Sequence, residues 1–428
     1  MVTPPLPQHE LRRLRQVARG DAHLAELIER RHQGEPLQYL EGTAPFGPLE
    51  LIVDERVLIP RPETEELFER VVGFEQDPEL IVDIGTGSGA LALALDNHYP
   101  LAEVWATDVS QDALAVADLN RERLGLSVNF GYGDLFDAVP MRLRGRIDLM
   151  VSNPPYVAAP EVDSLPADVR REPKGALVAG ERGTEVIERI GAEAARWLAP
   201  WGRLGVEIGE TQEDIAGHFV DIDTEVGTDL TGRIRYVLGR SLIGDRAVRA
   251  VGAGEVIGVP TDTVYGIAVD PTDENAVGEL FRLKARSAQK PIGILLADVQ
   301  QALDLVELPP YARDLAETHW PGALTLVAPS RNPLPTGVGD PERDTLGVRV
   351  PEHLHFQKVL AETGPLAVTS ANPSGGHDVV DDVEARTVFG EVVSVYVPGL
   401  SAHRAGSTVV DVTDNKPIVL REGPISIG

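Results

Sequence analysis

The sequence predicts an α/β protein of successive units, the first a doubly wound, largely parallel sheet. Three observations carry that expectation. Between residues 80 and 152 short apolar runs alternate with helical stretches, the pattern of parallel strands joined by crossover helices. The chain has 428 residues, more than one compact core holds, so two or three domains are expected. A hydrophobic content of 43% with 42 glycines and 33 prolines suits a turn-rich globular chain of this class.

The 67 acidic residues against 39 basic ones leave a formal charge of -28. That balance opposes non-specific binding to nucleic acid or membrane surfaces without excluding a local basic cleft. Cysteine is absent. Disulfides, thiolate metal sites and cysteine nucleophiles are therefore excluded, and a cytoplasmic setting is the expectation. Residues 1–10 hold no apolar signal core, and no run of about 18 apolar residues could span a bilayer. His353 and His355 are spaced like neighbours on a strand but lack a surrounding cluster, so no metal site is expected.

From the N-terminus, Leu11, Leu14, Leu24, Leu27 and Ile28 recur at helical spacing, giving one or two amphipathic helices ended by Gly34 and Pro36. Residues 1–34 read as a short helical appendage. Residues 37–40 look extended, and 49–53 with 57–59 beyond a Gly/Pro-rich turn suggest a hairpin. Pro62, followed by Glu63, Glu65 and Glu66, suits a helix N-terminus, where the dipole favours acids. Then come strand 80–84, a tight turn from Gly85 to Gly89, helix 90–97 and strand 104–106 leading to Asp108. Helix 112–124 stops at Gly125; strand 128–130 leads to Gly133-Asp134-Leu135-Phe136, and strand 147–151 to Asn153. Helix 185–198 and strands 202–208 and 234–238 complete a unit over residues 35–240.

The chemistry gathers where these strands end. Asn153-Pro154-Pro155-Tyr156 cannot extend a sheet, because its prolines lack N–H donors. It leaves outward carbonyls, a side-chain amide and an aromatic plate, a set suited to gripping a planar –NH2 group. Gly85-Thr86-Gly87-Ser88-Gly89 is one residue shorter than a dinucleotide turn, which suits a nucleoside without pyrophosphate, such as S-adenosylmethionine. Asp108, about 20 residues on, is placed for ribose hydroxyls.

With these motifs, residues 35 to about 240 resemble the release-factor glutamine methyltransferases, which have a class I methyltransferase fold. The likeness runs through Gly34-Glu35-Pro36-Leu37, Leu58 to Glu65, Asp83 to Gly89, Asp108, Gly133 to Phe136, Ser152 to Tyr156 and Glu172-Pro173. Asn-Pro-Pro-Tyr is shared with adenine N6-methyltransferases; Arg61-Pro62-Glu63-Thr64-Glu65 is the discriminating stretch. The resemblance implies that Asn153 with Pro154 and Pro155 holds the glutamine amide of the Gly-Gly-Gln motif of class 1 peptide release factors, with Tyr156 beside them. It also implies that Gly85, Thr86, Gly87, Ser88, Gly89, Asp108, Leu135 and Asn153 contact S-adenosylmethionine.

A new unit begins near 241 and runs to 428. Helix 241–254 and strand 256–259 precede Pro260-Thr261-Asp262-Thr263-Val264-Tyr265-Gly266, where alternate hydroxyls line one face of an extended segment. Helix 274–283 leads to Lys284, Arg286 and Lys290, three cations within seven residues, which suggest a site for phosphates or RNA. Arg349 lies inside an apolar strand and calls for an anion partner. The turn Thr369 to Gly376 offers hydroxyls and backbone donors to phosphate.

Residues 250–425 resemble the YrdC-like threonylcarbamoyl-AMP synthases, an α/β fold with a mixed twisted sheet. The motifs P-T-D-T-V-Y-G, K-x-R, W-P-G-A-L-T-L, G-V-R-V-P, S-A-N-P-S-G, S-T-V-V-D and L-R-x-G occur in the family's order. The resemblance implies synthesis of threonylcarbamoyl-adenylate from L-threonine, bicarbonate and ATP, for modification of tRNA adenosine 37. It places Lys284, Arg286, Thr345, Ser370, Asn372 and Arg421 on ATP, and Thr261, Arg349 and Ser407 on threonine. Magnesium would come with the nucleotide, since no carboxylate cage is visible; tRNA or the downstream transfer machinery are further partners. Two rivals stay open: a nucleic-acid methyltransferase in the first half, or an inactive first half joined to a double-stranded-RNA-binding module.

Overall fold

The computed structural model describes residues 5–74, 77–284, 292–372, 376–401 and 405–427. Packing divides the chain into two compact units. One comprises Met1–Pro140, Ile147–Leu198 and Gly202–Arg240; the other comprises Met141–Arg146, Ala199–Trp201 and Ser241–Gly428.

The first unit holds a seven-stranded sheet. Its spatial order is Asn129–Tyr132, Glu103–Asp108, Leu80–Ile84, Ile147–Ser152, Leu198–Glu207, Ile234–Ser241, Ile222–Thr228. The first five strands pair in parallel, and Ile234–Ser241 joins antiparallel. Leu80–Ile84 and Ile147–Ser152 are buried along their whole length, which explains their unbroken apolar runs. The chain builds outward from Leu80–Ile84 in one direction and then, from Ile147, in the other. The topological switch point therefore lies between those two strands, and a ligand crevice belongs at their carboxyl ends. Leu93, Leu95, Val104, Ala106 and Val151 pack the core around them.

The helix Ala90–His98 starts directly after the sheet at Gly89, whose φ is 85°. A Cβ there would lie 2.9 Å from Leu93 Cδ1, so only glycine permits this tight entry. The helix Pro62–Val72 begins at Pro62 with Glu63 and Glu65 in its first turn, as dipole reasoning predicts.

Several local expectations needed correction. Residues 37–40 are not extended: Leu37–Glu41 is a short helix whose Leu37 and Leu40 pack against Leu14 and Leu27 of the helices Gln8–Val17 and Asp21–His32. Contact with that helical pair overrides the β-like look of a four-residue run. The hairpin pairs Thr43–Phe46 with Leu49–Ile52, while 57–59 forms no strand. The edge strand Ile222–Thr228 was not anticipated, because acids and a glycine interrupt its apolar alternation.

The second unit is built on a nine-stranded sheet. Its spatial order is Val395–Tyr396, Ile257–Val259, Gly266–Val269, Leu366–Ser370, Gly293–Leu295, Thr345–Arg349, Leu324–Pro329, Thr408–Asp411, Ile418–Arg421. Parallel and antiparallel pairings are mixed, as expected for this unit. Ile267, Leu324, Leu326, Leu346, Val348 and Val410 enter one continuous core. The segment from Pro260 to Tyr265 is bent, not extended. Thr261 Oγ1 accepts the N–H groups of Thr263 at 3.1 Å and Val264 at 3.2 Å, which folds the chain into a hydroxyl-centred turn. His353 is not on a strand either. It caps the helix Leu354–Thr363, accepting the Phe356 N–H at 3.2 Å, and burial pushes both His353 and His355 down to about 3. Among the described residues no helix is long and apolar enough to cross a membrane.

Candidate active sites

In the first unit the strand ends converge on a cavity of about 380 Å³. Gly85, Thr86, Gly87 and Ser88 line it, together with Asp108, Leu135, Asn153, Pro154 and Pro155. Gly85 and Gly87 have φ of 75° and 57°, and a Cβ on either would point into open space, so the turn presents bare backbone to the cavity. Gly89 is not a wall residue; it caps the following helix. Asp108 accepts the Gly87 N–H at 2.9 Å and the Ser110 N–H at 2.8 Å. Burial raises its pKa, and these backbone donors oppose the rise. Leu135 holds a φ of 48°, a left-handed conformation that a leucine adopts only when its surroundings impose it.

A second cavity of about 180 Å³ lies against the first. Leu58, Asn153, Pro154 and Ala176 line both cavities, while Arg61, Tyr156 and Leu165 line only the smaller of the two. The stretch Asn153–Pro154 is thus part of a shared wall. Tyr156 faces the smaller side. Its hydroxyl donates to Glu207 at 3.2 Å, and Gln212 Nε2 donates to its carbonyl at 3.0 Å.

Sequence reasoning gave no role to Thr64, which lines the larger cavity, or to Glu172, Glu207 and Gln212, which hold residues of the two cavities from behind. Asn153 Nδ2 donates to Thr64 Oγ1 at 2.9 Å, and Thr64 donates onward to Glu207 at 2.7 Å. Glu172 accepts the Ile59 N–H at 3.0 Å and the Arg61 guanidinium at 2.5 Å, tying the Arg-Pro-Glu-Thr-Glu stretch to the cavity. Arg61 is a quarter exposed, so the ion pair alone counts for little; the buried Ile59 N–H counts for more. Glu172→Ala is expected to cost roughly 1–3 kcal/mol. Urea unfolding followed by tryptophan fluorescence would test this, and an unchanged midpoint would contradict it.

The second unit places six of its nine candidates around one cavity of about 560 Å³. Thr345, Gly347 and Arg349 line it from alternate positions of one strand, while Leu346 and Val348 turn into the core. Thr261, Ser370, Ser407 and Arg421 complete the set, with Thr325 and Asp378 not foreseen. Arg421 donates to Ser407 O at 2.9 Å and Ser407 Oγ at 3.1 Å, and Ser407 Oγ is 2.7 Å from Thr325 Oγ1. Arg349 finds its anion within the chain: it bonds to Asp262, to Thr263 Oγ1 at 2.9 Å and to Gly322 O at 2.9 Å. Burial lowers the pKa of Arg349 while Asp262 opposes the shift, and a guanidinium stays charged throughout.

Lys284 and Asn372 sit behind the wall. Lys284 Nζ reaches Ser370 O at 2.7 Å, Ser370 Oγ at 3.2 Å, Asn372 Oδ1 at 2.7 Å and Asn372 O. The lysine thus braces the Ser370–Asn372 turn. Arg286 and Lys290 lie outside the described residues. Three guanidiniums among hydroxyls, those of Arg343, Arg349 and Arg421, with a buried ammonium behind, make a setting for an anionic ligand.

Two known families match separate stretches of the chain. Residues 69–169 match the family Methyltransferase small domain, and residues 249–423 match the Sua5/YciO/YrdC family, described as Telomere recombination. A release factor glutamine methyltransferase of Koribacter versatilis is 38% identical over 242 residues, 55% of this chain and 83% of that protein. One from Deinococcus radiodurans is 40% identical over 226 residues, 52% of this chain and 80% of that protein. A putative threonylcarbamoyl-AMP synthase of Mycobacterium tuberculosis is 43% identical over 182 residues, 42% of this chain and 83% of that protein. The chain therefore belongs to two families at once, the release factor glutamine methyltransferases through its N-terminal half and the Sua5/YrdC-type threonylcarbamoyl-AMP synthases through its C-terminal half.

Proposed function

We propose that this chain is a bifunctional enzyme of translation. Its first activity is N5-methylation of the glutamine in the Gly-Gly-Gln motif of class 1 peptide release factors, using S-adenosylmethionine. Its second is synthesis of threonylcarbamoyl-AMP from L-threonine, bicarbonate and ATP. The observation that carries the first is the wall shared by two cavities at Asn153 and Pro154: the larger suits a nucleoside ligand in size and lining, the smaller a side chain.

S-adenosylmethionine, when bound, supplies a methyl group already activated on sulfur. The amide nitrogen of glutamine is a poor nucleophile, since its lone pair is delocalised into the carbonyl. The protein's task is therefore alignment. Acceptors from Asn153 and the Asn-Pro-Pro backbone would hold both amide N–H groups and turn the nitrogen toward the larger cavity. Gly85 to Ser88 and Asp108 would seat the nucleoside, and Tyr156 would flank the glutamine amide. No strong base is required before transfer.

In the second unit, an anionic carboxylated threonine must approach an anionic α-phosphate. Arg349 and Arg421, with Lys284 bracing Ser370 and Asn372, would suppress that repulsion and steady the leaving pyrophosphate. Thr345 and Ser370 belong to the nucleotide side of this proposal; Thr261, Arg349 and Ser407 belong to the threonine side. Magnesium would arrive with ATP. The product would serve modification of tRNA adenosine 37, which makes the transfer machinery a partner. The lack of cysteine supports a cytoplasmic setting.

Both activities have direct assays. Labelled S-adenosylmethionine with a purified class 1 release factor should yield one methyl on the Gly-Gly-Gln glutamine, located by peptide mass spectrometry; absence of label sinks the first assignment. Pyrophosphate release from ATP should require both threonine and bicarbonate, and release indifferent to threonine would sink the second.

A further inference from the structure

Glu207 ends a central strand of the first unit, fully buried beside the methyl-transfer site. No step of the mechanism above uses it. A buried carboxylate is retained only where its oxygens are satisfied, and here both are. Oε2 takes the Thr64 hydroxyl at 2.7 Å and Oε1 the Tyr156 hydroxyl at 3.2 Å. Thr64 in turn receives the Asn153 side-chain N–H at 2.9 Å.

The direction of this chain of hydrogen bonds follows from one fact: an ionised carboxylate only accepts. Thr64 must then spend its single proton on Glu207. The Thr64 oxygen is left as an acceptor, and Asn153 must turn its NH2 toward it. The Asn153 carbonyl oxygen is thereby turned away from Thr64, free to accept from an incoming amide. Tyr156, which lines the smaller cavity together with Asn153, is anchored by the same carboxylate.

We propose that Glu207 is a positioning residue for methyl transfer, fixing through Thr64 and Tyr156 the orientation in which Asn153 presents an acceptor to the substrate amide. This role rests on the methyltransferase reading of the same site. The groups facing Glu207 are Thr64 and Glu63 of the helix Pro62–Val72, Tyr156, and Arg235 and Tyr236 of the adjoining strand. Burial and Glu63 raise its pKa, and Thr64, Tyr156 and Arg235 oppose the rise; the balance stands at about 7. Below that value a protonated Glu207 can donate to Thr64, and the Asn153 orientation is no longer imposed. Ordering of the site, and transfer with it, should therefore grow as pH rises through the neutral range.

The test uses the full chain labelled with 15N-asparagine, with the Asn153 side-chain signals assigned by their loss in Asn153→Ala. In wild type those signals should shift in one step between about pH 6 and 8, and in Glu207→Gln the step should vanish while the rest of the spectrum is kept. With a release factor as substrate, Glu207→Gln should lower kcat at least about tenfold. Its KM for S-adenosylmethionine should stay within about twofold, and its pH profile should be flat. Thr64→Ser, which keeps the hydroxyl, should keep the titration step, and Thr64→Val should lose it. Asn153 signals that do not titrate in wild type, or a Glu207→Gln enzyme with the wild-type rate and profile, would overturn the role. A wild type that titrates as described but methylates no release factor would leave the role standing and refute the functional reading instead.

Discussion

Asn153→Ala should lower kcat for methyl transfer about 10²–10³-fold, comparable to removing one preorganised hydrogen-bonding group from a reacting centre. The alanine keeps the strand end and both prolines, so the fold has no reason to fail. Among the described residues that line both cavities it removes the side-chain acceptor, and Thr64 loses its donor while keeping Glu207. Binding of S-adenosylmethionine should weaken far less, because Asp108 and the turn from Gly85 to Ser88 form the rest of that cavity. Calorimetry with S-adenosylmethionine and single-turnover transfer to a release factor separate the two effects. Transfer within about threefold of wild type would remove Asn153 from the centre of the mechanism.

Lys284→Ala should lower threonine-dependent pyrophosphate release at least about 10²-fold, the size expected when reacting groups lose their placement. Lys284 is buried and its ammonium is the hub of four contacts on Ser370 and Asn372. Removing it strands those acceptors away from water, at a local cost of roughly 1–3 kcal/mol. The turn that carries Ser370 into the cavity then loses its brace, and one positive charge leaves the site. Lys284→Met keeps the aliphatic stem and loses the charge, so it should fail in the same assay while unfolding closer to wild type. Release within about threefold of wild type in either variant would contradict the bracing role.

Much of this was legible in the sequence. The strands Leu80–Ile84 and Ile147–Ser152 stand out because full burial leaves continuous apolar runs. The Gly85 turn, Asp108 and Asn153 stand out because they follow strands directly, where a doubly wound sheet collects its ligand. What was hidden is of two kinds. Leu37–Glu41 is too short for periodicity to tell helix from strand. Glu207 and Thr64 lie 143 residues apart and meet only through the fold; Thr64 sits in the Arg-Pro-Glu-Thr-Glu stretch, but nothing local to it points to Glu207. The same holds for Asp262 on Arg349: the strand pattern foretold that a buried arginine needs an anion, but not that its partner sits 87 residues earlier in the chain.

The central claim, two separate chemistries in one chain, has a direct test. A single reaction would contain wild-type protein, a class 1 release factor, S-adenosylmethionine, ATP, threonine and bicarbonate, and mass spectrometry would read both products. The account predicts methylated Gly-Gly-Gln and threonylcarbamoyl-AMP together, with Asn153→Ala losing only the first and Lys284→Ala only the second. A wild type that makes one product alone, or a single substitution that removes both, would contradict it.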